Sequence, residues 1–412
     1  MTTPALADET AGCSAAPGPT ATARLPALDA LRSCVTLLVI ALHAVMAYHP
    51  YAPPLGTFTR ENMVWGAFPV IDPTRAPGAE TFVLWCDSFF MALMFLLSGL
   101  FVGPSLARKG VNRFVRDRLV RLGMPFLGGI LLVAPLAYLP AYLQRAAATP
   151  GEDYFSAWLR LGWWPSGPAW FLWVLLGFGL VAAVLQRCAP CVMQMLGSMG
   201  LWCRGRPGSA AMGFIVVAMI AYVPMATWVS PFVWFTWGPL TAQTSRVLLY
   251  ATYFFLGVAW GSGCGAAAWA AADGGLARRW LVWQLAGFVV FCGFAAALIT
   301  TLVGMQRGAP WPAITVLANA LYAATGVTTS LALMALCARF CQRPNPLLSS
   351  LSRNAFGMYV IHYAIVTWLQ FALLSQAWSG WAKLATVVVA AIGLSWAGAM
   401  LLRRLPGVAR VL

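Results

Sequence analysis

The chain of 412 residues is 61% hydrophobic and only 9% charged, more apolar surface than a water-soluble core needs, so it reads as an integral membrane protein. Its 26 basic residues against 11 acidic ones give a net charge of +15, but the cations punctuate apolar runs instead of lining one face. That pattern sets nucleic acid aside as a partner and fits a membrane-topology signal.

Residues 1–24 are rich in Ala, Thr and Pro without apolar periodicity and read as a disordered cytoplasmic tail. A long leading region with Arg24 as its one cation, before an apolar run too long for a signal sequence, argues against cleavage. Ten apolar runs of spanning length follow, at 28–48, 81–103, 122–143, 168–186, 210–229, 246–263, 280–302, 313–338, 355–374 and 382–402. If the N-terminus lies inside, 19 basic residues fall on the inner side and 7 on the outer, so both termini are expected in the cytoplasm. The expected fold class is an all-α integral membrane protein, a bundle of about ten transmembrane helices. It occupies residues 25–403, with a short cytoplasmic tail at 404–412.

The first run, LDALRSCVTLLVIALH, carries Asp29, Arg32 and His43 in an otherwise apolar helix. Eleven residues of helix place Arg32 and His43 within about 20° of one another, separated by roughly 16 Å of rise. If Arg32 marks one membrane boundary, His43 lies past the middle of the hydrocarbon, where an ionisable group faces a bundle interior or a wet cavity. A neutral imidazole there is suited to taking a proton from a hydroxyl. Asp29 and Arg32 are too far away to orient it, and are expected to pair with each other or to meet an anion at the cytoplasmic mouth.

The second run ends in FFMALMFLLSGLFVG, where Ser98 and Gly99 permit close helix packing or passage of a narrow chain. The basic stretch RFVRDRLVRLGMPFL follows, with Arg113, Arg116, Arg118 and Arg121 crowded near the membrane. Topology and anionic lipid account for such a cluster, and so does docking of a phosphorylated molecule such as coenzyme A. Two outer segments, 49–80 and 144–167, hold Glu61, Asp72, Glu80, Glu152 and Asp153. The second runs into LGWWPSGPAWFLW, whose four tryptophans suit an interfacial belt or stacking on a sugar ring. Cys188-Ala-Pro-Cys191, with Cys203 beyond it, lacks a fourth ligand at zinc-site spacing, so no metal is expected. No phosphate-binding loop, dinucleotide fingerprint or inverted repeat is present. A second intramembrane histidine, His362, lies in NAFGMYVIHYAIV and is placed to line the same cavity as His43.

Together these segments resemble the membrane acyltransferase type 3 family. LDALRSCVTLLVIALH looks like its signature of Arg, ten residues and His, carried here by Arg32 and His43. FFMALMFLLSGLFV is similar to its Phe-rich Ser-Gly second span, and RLVRLGMPFL to its basic Arg-Leu-Pro segment. PAWFLWVLL looks like its Trp-Phe-Leu motif around Trp170, and FGMYVIHYAIV like its late Tyr-containing helix, with Tyr359 and His362. The resemblance covers roughly residues 25–400 and looks closest to the group containing glucan biosynthesis protein C. One departure is Gly167-Pro168-Ala169, where that group would have a His before the Trp-Phe-Leu motif.

The resemblance implies an O-acyltransferase of the bacterial inner membrane. It would move an acetyl or succinyl group from cytoplasmic acyl-CoA, a substrate and not a resident cofactor, to a hydroxyl of an extracytoplasmic glycan or related carbohydrate acceptor. In that reading His43 is the general base, and a cavity runs to it from the cytoplasmic face. Asp29, Arg32, Ser98, Arg113, Arg116, Arg118, Arg121, Trp170, Tyr359 and His362 bind substrate. The alternative is a transporter or exporter of a small anionic or acylated molecule, which also uses intramembrane ionisable residues.

Overall fold

All ten apolar runs become helices in the computed structural model, which describes residues 25–411 except 64–65, 147–150, 264, 266 and 268. The predicted tail at 1–24 lies outside the described residues. Helix α1 is Pro26–Met46; α2 is Ala79–Gly99, followed almost without a break by α3, Val102–Lys109; α4 is Val111–Arg145. A surface helix α5 (Tyr154–Arg160) precedes α6 (Trp170–Cys188), α7 (Pro190–Gly205) and α8 (Pro207–Trp228). A hairpin of β1 (Trp234–Trp237) and β2 (Leu240–Gln243) leads into α9 (Val247–Gly263). The bundle closes with α10 (Trp280–Gln306), α11 (Pro312–Phe340), α12 (Pro346–Ala372) and α13 (Gly380–Leu402). Among the described residues, nine helical segments are long and apolar enough to cross a membrane. The remaining predicted run forms α9, whose 17 residues rise about 25 Å. The chain is an all-α, multi-pass membrane protein.

Two boundaries differ from the sequence reading for local reasons. Helix α12 starts nine residues before 355, because Asn345 caps it, its Oδ1 accepting from the Leu347 and Leu348 amides, with Pro346 at the first helical position. The mostly polar stretch 349–354, with Leu351 its one apolar residue, then continues a helix that apolarity alone would start later. Helix α4 likewise takes in the basic stretch from Val111 and carries two π-turns, Leu119–Gly123 and Gly129–Val133. The Trp164 indole donates to the Ile130 carbonyl at 2.8 Å, within the second.

Backbones approach closely where the end of α2 runs beside α9. A Cβ added at Gly99 would lie 2.1 Å from the Phe254 carbonyl, one at Gly257 2.2 Å from that of Leu96, and one at Gly261 2.0 Å from that of Leu100. Gly257 and Gly261, one turn apart, thus let two backbones touch, the small-residue packing that membrane helices use in place of a hydrophobic drive. Helix α1 is fastened along α12 from end to end. Ser33 donates to the Leu348 carbonyl, Ser352 to Asp29, and Gln370 to the carbonyls of His43 and Ala44.

Residues 68–72, in the first of the two segments predicted to lie outside, are tied to the end of α4 and to α13. Gln144 pairs with both backbone groups of Ile71, and the buried Arg145 donates to the Pro69 carbonyl at 2.7 Å. Asp72 and Lys383 form an ion pair at 2.8 Å with side chains 0% and 1% exposed. Two elements arise where the sequence suggests only loops. Helix α7 starts on Pro190, and the hairpin turns at Gly238, φ +55°, with Pro239 following.

Candidate active site

His43 occupies the last turn of α1, where the helix face it shares with Arg32 meets α12. Its Nδ1 lies 2.8 Å from the carbonyl of Val39 one turn back, and 3.4 Å from Nε2 of His362. His362 Nδ1 in turn lies 2.7 Å from the Tyr359 carbonyl. A carbonyl can only accept, so this pattern assigns the proton to Nδ1 of each ring. His362 Nε2 then accepts from His43 Nδ1–H, and the lone pair of His43 Nε2 is left for chemistry. Tyr363 packs edge-on against His43, ring centres 5.1 Å apart, and its hydroxyl donates to the Gly66 carbonyl at 2.9 Å.

His43 stands on the wall of a cavity of about 840 Å³. The walls come from the end of α1 (Val39 to Met46) and the first half of α2, from loop residues 60–63, 66–68 and 163–170, from the hairpin, the start of α9, and Tyr359 and Tyr363 of α12. Of the predicted site residues, His43, Trp170 and Tyr359 meet in this cavity. Trp170 stacks on Tyr250, and the Tyr359 hydroxyl donates to the Pro168 carbonyl, tying α12 to the segment before α6. His362 is completely buried behind His43 and off the cavity wall.

The other predicted residues lie elsewhere. Arg32 sits over the Phe101 ring at 4.7 Å, and Asp29 accepts from Ser352 at 2.8 Å; among the described residues no ion pair joins them. Ser98 donates to the Met94 carbonyl of its own helix. Arg113, Arg116 and Arg121 are exposed, while Arg118 is half-buried over Phe114. These residues mark the end of the bundle where α1 begins, the basic end. The cavity expected to open there opens instead toward the opposite end: none of Asp29, Arg32, Ser98 or the four arginines lines it.

Residues 25–400 match the model of an acyltransferase domain, that of the acyltransferase 3 family. The chain belongs to the acyltransferase 3 family. It is therefore an acyltransferase, and the transporter reading falls away. Searches of curated proteins and of solved structures returned no match.

Several residues of this acyltransferase's cavity carry no weight in the sequence reading. Asp87 lies within the second apolar run, where a lone carboxylate is itself a signal. Its partner Arg246, Tyr138 and Tyr363 carry no such sign. Of the four tryptophans weighed between membrane belt and sugar platform, Trp163 and Trp170 line the cavity. Trp164 and Trp173 use their indole N–H groups on the Ile130 and Thr241 carbonyls. Gly167 has φ +50°, and a Cβ there would come 3.0 Å from the Tyr363 ring, so a side chain is disfavoured on both counts. His49, on the cavity rim, accepts from the Tyr51 amide through Nδ1, which leaves Nε2 as a donor. Burial holds its imidazole below the ordinary value, with Glu80 opposing and Arg75 adding to that effect.

Proposed function

We propose that this acyltransferase moves an acyl group, acetyl or succinyl, from cytoplasmic acyl-CoA to a hydroxyl of an extracytoplasmic glycan or related acceptor, in the inner membrane of a bacterium. The observation that carries the reading is His43: a ring whose Nδ1 is turned to the Val39 carbonyl and to His362, which leaves Nε2 for a substrate, with a cavity large enough for a sugar in front of it.

In this scheme the acceptor hydroxyl donates to His43 Nε2 while its oxygen attacks the thioester carbonyl. The proton passes to Nε2 as the C–O bond forms, the tetrahedral intermediate collapses with rupture of the C–S bond, and the proton returns from Nε2 to the departing thiolate. The transient imidazolium is stabilised through Nδ1–H by the Val39 carbonyl and His362. Donor phosphates are held in water by the arginines of the basic end, and reaching His43 from there requires α1 and its neighbours to part, because the cavity in front of His43 opens toward the opposite end.

The test is the protein in liposomes with labelled acetyl-CoA on the basic side and a saccharide on the other. Label should become ester-linked to the saccharide with wild type and not with His43→Ala at equal protein level. Equal labelling by the two ends this reading.

A further inference from the structure

Helix α2 carries a carboxylate, Asp87, two turns in from Ala79. Arg246, in the turn before α9, meets it in a two-pronged pair, Nη1 to Oδ1 at 2.7 Å and Nη2 to Oδ2 at 2.6 Å. Both residues line the cavity, but unequally: the Arg246 side chain is 8% exposed and that of Asp87 40%. The guanidinium is sealed in by Asp87 and by the ring of Tyr322, 4.9 Å away. A carboxylate offers about four acceptor sites, and the terminal nitrogens of Arg246 take two. Asp87 therefore presents a fixed anion, with free lone pairs, to the cavity.

An aromatic corner lines the same cavity. Trp170 lies over Tyr250, ring centres 5.7 Å apart at 27°, and meets Trp234 of β1 at 5.9 Å and 87°. All three rings line the cavity. Two indoles at right angles offer flat apolar surface to a ring with an apolar face and a polar rim.

We infer that Asp87 and this aromatic corner form the subsite that holds an uncharged sugar ring of the acceptor, and that it selects against anionic sugars. The inference rests on the proposed reaction having a glycan acceptor. Adjacent hydroxyls donate to Asp87, and the C–H face of the ring lies on Trp234 or Trp170. Charge sets the class. Arg246 turns both terminal amino groups to Asp87 and is itself only 8% exposed, so a uronate or phosphorylated sugar at this corner meets the carboxylate first.

Binding can be read apart from chemistry, by tryptophan fluorescence, titrating the full-length protein with a neutral glucan hexasaccharide and with a hexasaccharide of uronic acid. Wild type should bind the neutral sugar at least about tenfold more tightly than the uronate. Asp87→Asn and Trp234→Ala should each weaken neutral-sugar binding by about tenfold, the loss expected for a charge-assisted hydrogen bond or a stacking face. Should Asp87→Asn unfold by leaving Arg246 unpaired, Trp234→Ala, which leaves the ion pair intact, carries the test. A flat titration, equal affinity for the two sugars, or wild-type affinity in Trp234→Ala overturns the inference. Binding without His43-dependent label transfer removes the proposed reaction and leaves the subsite; transfer that ignores both substitutions removes the subsite and leaves the reaction.

Discussion

The two ends of the bundle treat charge in opposite ways. At the basic end Arg113, Arg116 and Arg121 are exposed, and the ion pair Lys109–Asp117 is itself partly open to water. At the cavity end Lys383 and Asp72 are sealed together, Arg145 is sunk among backbone carbonyls, and Arg246 lies under Asp87. Exposed cations cost little and contribute little to stability, but remain available to a large anion that arrives in water. Buried charges are costly unless fully partnered, and once partnered they fix the shape around a reacting centre. On the proposed reaction, one end would serve docking and the other geometry.

The contrast is sharpest at His43. Removing a general base typically costs about 10² to 10⁴ in rate, so His43→Ala should lose acyl transfer to that degree. Next in size is the Asp72–Lys383 pair. Asp72 accepts from Lys383 Nζ at 2.8 Å and from the Thr74 amide and hydroxyl, and Nζ lies 3.4 Å from the Leu374 carbonyl. Lys383→Met leaves a carboxylate buried with no counterion and should cost about 3–5 kcal/mol of stability. The double variant Asp72→Leu with Lys383→Met should recover most of it. The same melts on Arg113→Gln should move by less than about 0.5 kcal/mol. A Lys383→Met protein as stable as wild type would remove the distinction between the two ends.

A smaller effect is expected behind the catalytic ring. His362→Ala removes one of the two acceptors for His43 Nδ1–H, and the Val39 carbonyl remains. A charge-assisted bond at 3.4 Å is a weak one, so kcat should fall about tenfold while the acceptor KM holds. His362→Gln, whose amide oxygen can accept from the same proton, should restore most of the loss. A kcat that does not move, or a loss as deep as that of His43→Ala, rules out this positioning role.

Both ends were legible in the sequence to different degrees. Hydrophobic runs and their flanking cations gave the helices, because a span must satisfy its own backbone and so declares itself by length. His43 stood out as an ionisable group at depth. The buried pairs did not: Arg246 is 159 positions from Asp87 and Lys383 is 311 from Asp72, and neither spacing carries any trace of the contact. The hairpin escaped because WFTW and LTAQ, four residues each, are too short to stand apart from the spans beside them. The direction of the cavity was missed because Arg32 and His43 share a helix face whose one half is covered by Phe101 and whose other half is open.

The least effect is expected from the arginines of the basic end, and its form matters more than its size. Each exposed guanidinium in contact with a phosphate of the donor contributes up to about 1 kcal/mol, a factor of about five, and is screened by salt. Arg113→Gln, Arg116→Gln and Arg121→Gln should each raise the KM for acetyl-CoA a few-fold, leave kcat and the acceptor KM alone, and together flatten the dependence of that KM on ionic strength. Arg118, half-buried over Phe114, should add a loss of stability that the other three lack, because its guanidinium also packs against the ring. If the triple variant keeps both the wild-type KM for acetyl-CoA and its salt dependence, the cluster serves topology and anionic lipid alone, and the donor must dock at another part of the same face.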